Sequence, residues 1–168
     1  TTLLLILGGM MRPTEGTVLY DGTDLYAKSV PERAEFRAQE VGFVFQMFHL
    51  VAYLGVEENV RLAACNGNLP NRPRKLLEHF GLGHRVTHTS GELSVGERQL
   101  MALARAMVNA PRLILADEPT GNRDPENDMQ VFEHLAEYHQ SGGPVIVVTH
   151  GSTADQFADR VVNLKAAL

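Results

Sequence analysis

Apolar and polar positions alternate in different rhythms along the chain, and each rhythm predicts an element. Thr2 to Leu7 is an apolar run that reads as a helix ending at Gly8-Gly9, a glycine C-terminus. GTVLYDG (16–22) reads as a short strand closed by Asp-Gly. Pro31 to Gln39 is polar and helical, with proline near its first turn. VGFVFQ (41–46) is a short apolar run of β type, and 56–64 and 73–80 read as two helices. The segment CNGNLPNRP that leads from one to the other is a loop by its Asn, Gly and Pro content.

The second half is more regular. Leu100, Leu103, Ala104 and Met107 recur at helical spacing, so Ser94 to Val108 is a helix. Leu113 to Ala116 is an apolar strand, and Asp124-Pro125 opens a helix with Phe132, Leu135 and Ala136 on its inner face. VIVVT (145–149) is a second apolar strand, and a short helix (152–158) and a last strand (160–164) are expected after it. Strand, helix, strand, helix, strand predicts an α/β fold, a parallel sheet covered by helices. Residues 55–93 carry no apolar strand and read as an all-helical insertion.

Composition narrows the function. A chain of 168 residues with 44% apolar and 21% charged residues can build one sizeable core. A net charge of −5 without a Lys/Arg run argues against a nucleic-acid partner. Cys65 is the only cysteine, so no internal disulfide forms. The spacing of His49, His79, His84, His88, His134 and His139 contains no H-E-x-x-H and has no cysteine support, so no zinc site is expected.

Candidate chemistry sits at strand ends, where open α/β sheets place it. LILADEP ends in Asp117-Glu118, and VIVVTH ends in His150. An apolar strand ending in an acid matches an element that holds Mg²⁺ on nucleotide phosphates, and a second acid can polarise an attacking water. Alone, such a pair caps a turn. Upstream, ELSVGERQLMALARAM (92–107) starts with a Ser94/Glu97 capping box, and Gly96 leaves backbone bare beside a helix N-terminus suited to an anion.

Taken in order, these segments resemble the nucleotide-binding domain of ABC transporters along essentially the whole chain. LSVGE resembles the family signature LSGGQ, LILADEP its Walker B strand with the catalytic glutamate, and GNRD (121–124) its D-loop. His150 resembles the switch histidine, and VFQ ending at Gln46 the Q-loop. FVFQMFHLVAYLGVEENV and LSVGERQ look most like the subgroup that serves lipoprotein release, macrolide export and cell division. Val95 stands where the family usually has Gly, Glu97 where it has Gln, and Arg123 where an aliphatic residue is usual.

The resemblance implies a P-loop NTPase core over 1–54 and 94–168, with part of an antiparallel β subdomain, and a helical subdomain over 55–93. In the family a G-x-x-x-x-G-K-[ST] loop precedes a helix like TTLLLILGG. Thr1 then matches its last hydroxyl residue, a Mg²⁺ ligand, and Thr2 the next helical amide, near the α-phosphate. The first strands, the loop glycines and the lysine are thus expected before Thr1, and a polypeptide without them is expected to bind ATP poorly. The further implication is ATP hydrolysis at a head-to-tail dimer of two such domains, with ATP and Mg²⁺ as cofactors. Ser94, Gly96 and Glu97 would face the other subunit's nucleotide, and Asn122 and Asp124 would reach across the interface. Asp117 would serve Mg²⁺, Glu118 would be the general base, His150 would contact the γ-phosphate, and Gln46 would touch the Mg²⁺/water site. Residues 48–60 would divide between core and a groove for a transmembrane permease, with Tyr53 to Val56 near the groove. The domain would then be cytoplasmic, peripheral on the inner face of the membrane. Two other readings stay open: a non-catalytic pairing subunit, and a soluble ABC-type ATPase outside transport.

Overall fold

The computed structural model describes residues 1–65, 71–120 and 125–164. Helix α1 (Thr2–Leu7) stops where Gly8 caps it and Gly9 swings to φ 71°, a backbone state glycine enters without a Cβ penalty. Strands β1 (Leu19–Tyr20) and β2 (Thr23–Asp24) form an antiparallel hairpin. Asp21 and Gly22 both have positive φ, 49° and 76°, which folds the expected single strand of 16–22 back on itself. Helix α2 (Val30–Glu40) opens on a Ser29/Glu32 capping box and runs directly into β3 (Val41–Val44). Then follow α3 (Val56–Leu62), α4 (Arg72–His79), α5 (Val95–Met107), β4 (Leu113–Asp117), α6 (Pro125–Gln140) and β5 (Val145–Val148).

The order β3-β4-β5 is parallel throughout, with Val44 beside Ala116 and Asp117 beside Val148. Every residue of β4 is buried, because helices cover both faces. Ile114 and Ala116 point into a core shared with Val56, Val60, Leu77, Phe80, Leu103 and Phe132. Leu113 and Leu115 point the other way, onto Leu4 and Val41. The helical segment is pinned at both ends: Gly55 bridges Thr89, and the Val56 amide donates to the His88 carbonyl at 2.9 Å. Val56 is fully buried, so of the stretch assigned to a groove it belongs to the core, while Tyr53 is 85% exposed. Among the described residues no helix is long and apolar enough to cross a membrane.

Two sequence expectations fail near the end of the chain. Residues 152–158 form only a 3₁₀ turn, Thr153–Gln156. Residues 160–164 form no strand, and Val161, Val162 and Leu164 stay exposed. A strand needs a ladder to join, and these residues pair with no described neighbour. β5 is itself the end of the described sheet and is half-buried along its length.

Close packing behind β3 yields a first test. A Cβ on Gly42 would lie 2.5 Å from the Ala106 carbonyl oxygen of α5 and 3.0 Å from Pro111 Cγ. The first obstacle is backbone and cannot rotate away. Gly42→Ala is expected to lower stability by about 2 kcal/mol, read as a fall in the urea midpoint with unchanged slope.

Candidate functional site

Parallel pairing brings the C-terminal ends of β3, β4 and β5 to one rim of the sheet. There Thr1, Gln46, Asp117, Glu118, Thr120 and His150 line a cleft of about 290 Å³. Thr1, at the start of α1, donates its hydroxyl to Asp117 Oδ2 at 2.6 Å. A hydroxyl beside a carboxylate is an all-oxygen donor set of the kind that suits a hard divalent ion such as Mg²⁺. Asp117 is buried at the end of β4, so its charge is directed into the cleft rather than to solvent.

Glu118 is the next residue, and its backbone takes φ 45°, the left-handed region that non-glycine residues rarely enter. Its amide still donates to the Val148 carbonyl at 2.8 Å. The sharp turn aims its carboxylate at the loop after β5. Oε2 accepts the Thr149 hydroxyl and Oε1 the His150 amide, both at 2.9 Å. The His150 ring lies 3.7 Å from the same carboxylate and is 95% exposed, so it is free to meet a ligand in the cleft. Thr149 in turn accepts the Gly151 amide at 3.0 Å.

Thr149 and Thr120 are the residues that sequence reading passed over. Thr149 is legible in hindsight as the one polar residue inside VIVVTH, a hydroxyl at the strand end beside the histidine. Thr120 has no such flanking pattern. The loop that carries Gln46 is held from α5, where Arg105 donates to the Phe48 and His49 carbonyls at 2.5 and 2.7 Å. Burial pulls the Arg105 guanidinium below its ordinary range.

The remaining candidates lie elsewhere. Thr2 is the exposed first residue of α1 and does not line the cleft. Ser94, Gly96 and Glu97 form the N-terminus of α5, also outside the cleft. Ser94 accepts the Glu97 amide at 3.2 Å, and Glu97 accepts the Ser94 amide at 2.8 Å. Gly96 is buried against Asn127, whose side chain fills the space a Cβ would need. Glu97 also accepts Arg85 Nε at 2.8 Å. The Ser94 amide, helped by Arg85, holds its carboxyl below the usual carboxylate range. The charge introduced where the family usually has glutamine is therefore paired within the chain. Val95 is 42% exposed. Asn122, Arg123 and Asp124 lie outside the described residues.

The family profile described as ABC transporter matches residues 1–121. The lipoprotein-releasing system ATP-binding protein LolD of Shewanella denitrificans is 42% identical over 98% of this chain and 73% of its own length. LolD of Geobacter metallireducens is 40% identical over 98% of this chain and 76% of its own. Among solved structures, the dimeric post-hydrolysis state of the ATP-binding cassette MJ0796 bound to ADP and Pi is similar at a TM-score of 0.83. It is 33% identical and covers 94% of this chain and 72% of that one.

Proposed function

Because this chain belongs to the ABC transporter family of ATP-binding domains, we propose that it powers a lipoprotein-release type of exporter from the cytoplasmic face of a membrane. The observation that carries this reading is the shared cleft of Thr1, Gln46, Asp117, Glu118 and His150. In this reading Asp117 and Thr1 hold Mg²⁺, with Gln46 at its edge. When bound, that ion neutralises charge on the nucleotide phosphates. Glu118 takes the proton of the attacking water, and Thr149 and the His150 amide orient its carboxylate. The His150 ring contacts the γ-phosphate. Catalysis is positioning plus charge stabilisation.

The α5 N-terminus lies outside its own chain's cleft and exposes Ser94. That separation supports a head-to-tail dimer in which Ser94, Gly96 and Glu97 close on the other subunit's ATP. Thr2 would then face the α-phosphate, and Asn122 and Asp124 the interface. The dimeric state of MJ0796 supports pairing of two such domains. The pairing of Gly55 with Thr89 supports reading 55–93 as a lobe inserted between 1–54 and 94–168. The relatives' lipoprotein-release role supports a transmembrane permease as the partner, engaged through the exposed Tyr53.

Sedimentation tests the dimer. In a chain that carries the G-x-x-x-x-G-K loop expected before Thr1, and with hydrolysis blocked by Glu118→Gln, saturating Mg-ATP is expected to convert monomer to dimer. Adding Ser94→Arg is expected to prevent this, because a guanidinium would occupy the space of the second subunit's phosphate. A monomer at saturating nucleotide, or a dimer indifferent to Ser94→Arg, overturns the head-to-tail reading.

A further inference from the structure

Sequence spacing offered no reason to expect a transition-metal site, since His79 stands far along the chain from His134 and Glu137. His79 and Glu137 are separated by 58 positions. The fold nevertheless sets the end of α4 against the C-terminal half of α6. His79 Nε2 lies 3.1 Å from Glu137 Oε2, and His134 Nδ1 lies 3.5 Å from the same oxygen. The ligand atoms of all three lie within 4.8 Å of one another.

We propose that His79, His134 and Glu137 form a binding site for a divalent transition ion of the Zn²⁺ class, bridging α4 and α6. Zn–N and Zn–O bonds of about 2.0–2.1 Å in a tetrahedron put neighbouring ligand atoms about 3.3–3.4 Å apart. The two nitrogen–oxygen separations here bracket that value, and the two nitrogens lie within 4.8 Å of each other, so the ion enters as the two imidazoles turn toward it. Two imidazoles and one carboxylate are borderline donors that favour Zn²⁺ over Mg²⁺.

The surroundings prepare the ligands. The His134 ring is held edge-to-face by Phe80, with centroids 4.5 Å apart and planes at 90°. Burial lowers the His134 imidazole below its ordinary range. His79 and Glu137 are half-exposed. The site opens onto a groove of about 1140 Å³, which leaves the fourth position to water. Without metal, the same three groups satisfy each other as a hydrogen-bonded set. With metal, the ion ties the helical segment 55–93 to α6.

The test uses the metal itself. The purified chain, stripped by a chelator, is titrated with Co²⁺. One equivalent is expected to give the strong visible bands of a four- or five-coordinate site, and Zn²⁺ is expected to displace them. The oxygen ligands around Asp117 would give only weak octahedral bands. Losing second-layer groups costs about 10–100-fold in metal affinity, so losing a direct ligand through His79→Asn or Glu137→Gln is expected to weaken Zn²⁺ binding by about 100-fold or more. Both side chains are half-exposed, so these variants are expected to melt like the parent without metal, while Zn²⁺ raises the melting temperature of the parent alone. Weak octahedral bands only, or strong bands that persist in both variants, overturn the proposal.

Discussion

In a chain that carries the G-x-x-x-x-G-K loop expected before Thr1, Glu118→Gln is expected to lower Mg-ATP turnover by about 10³-fold while leaving ATP affinity within a few-fold. Glutamine is isosteric: its oxygen can still accept the His150 amide, and its NH2 can donate to the Thr149 hydroxyl oxygen, the two contacts that Glu118 now makes at 2.9 Å. The left-handed backbone at φ 45° is set by the turn and by the Glu118 amide bond to Val148, and the substitution alters neither. What is lost is the ability to take a proton, and general-base catalysis is worth about 10²–10⁴-fold. Steady-state phosphate release checks the rate, and equilibrium binding of a fluorescent ATP analogue checks the affinity. A fall in turnover that came wholly from weaker binding would assign Glu118 to nucleotide binding instead. Thr149→Val gives the companion result. It removes one of the two bonds that orient Glu118, so a smaller loss, about 10-fold, is expected, again with affinity kept.

The second large effect concerns stability. Asn59→Ala is expected to cost roughly 3 kcal/mol and to lower the melting temperature by on the order of 10 °C. Asn59 is almost fully buried on α3. Its amide oxygen accepts the Val51 amide at 2.8 Å. Its nitrogen donates to the carbonyls of Val51, Leu54 and Gly55 at 3.0, 3.1 and 3.1 Å. One side chain thereby closes the 51–55 turn that displays Tyr53. Alanine leaves the Val51 amide and the Leu54 carbonyl without that partner in a part-buried setting, while the Val51 and Gly55 carbonyls keep the Leu54 and Asn59 amides at 3.2 and 2.9 Å. Calorimetry measures the loss. Near-parental stability would mean that the turn closes without Asn59.

Much of this molecule could be read before any coordinates. The parallel sheet followed from LILAD and VIVV, whose unbroken apolar runs suit strands covered on both faces. The Ser94/Glu97 capping box and the proline near the start of the 31–39 helix each fixed a helix start to within a residue. The strand-end acids and His150 were legible because parallel pairing must bring such ends to one rim. Asn59 was not, because a polar residue between Glu58 and Val60 looks like solvent-facing helix. Its role depends on a turn whose path only tertiary structure defines. The His79–His134–Glu137 cluster was hidden for a related reason. Local spacing reports neighbours on one helix, whereas this cluster spans two. The strand expected at 160–164 failed because alternation predicts that a segment can pair but says nothing about whether a neighbour stands beside it.

Helix α5 touches both kinds of chemistry that the fold presents. Its first turn carries Ser94 and Glu97, and near its other end Arg105 grips the carbonyls of the loop that carries Gln46. Between Ser94 and Arg105 the axis rises about 16 Å, at about 1.5 Å per residue. The intervening Leu100, Met101, Leu103 and Ala104 are wedged in the core, which denies the rod any independent bending. A force that tilts the exposed tip must therefore swing the guanidinium, and with it the glutamine loop, as the far arm of a lever pivoting on its own hydrophobic bearing.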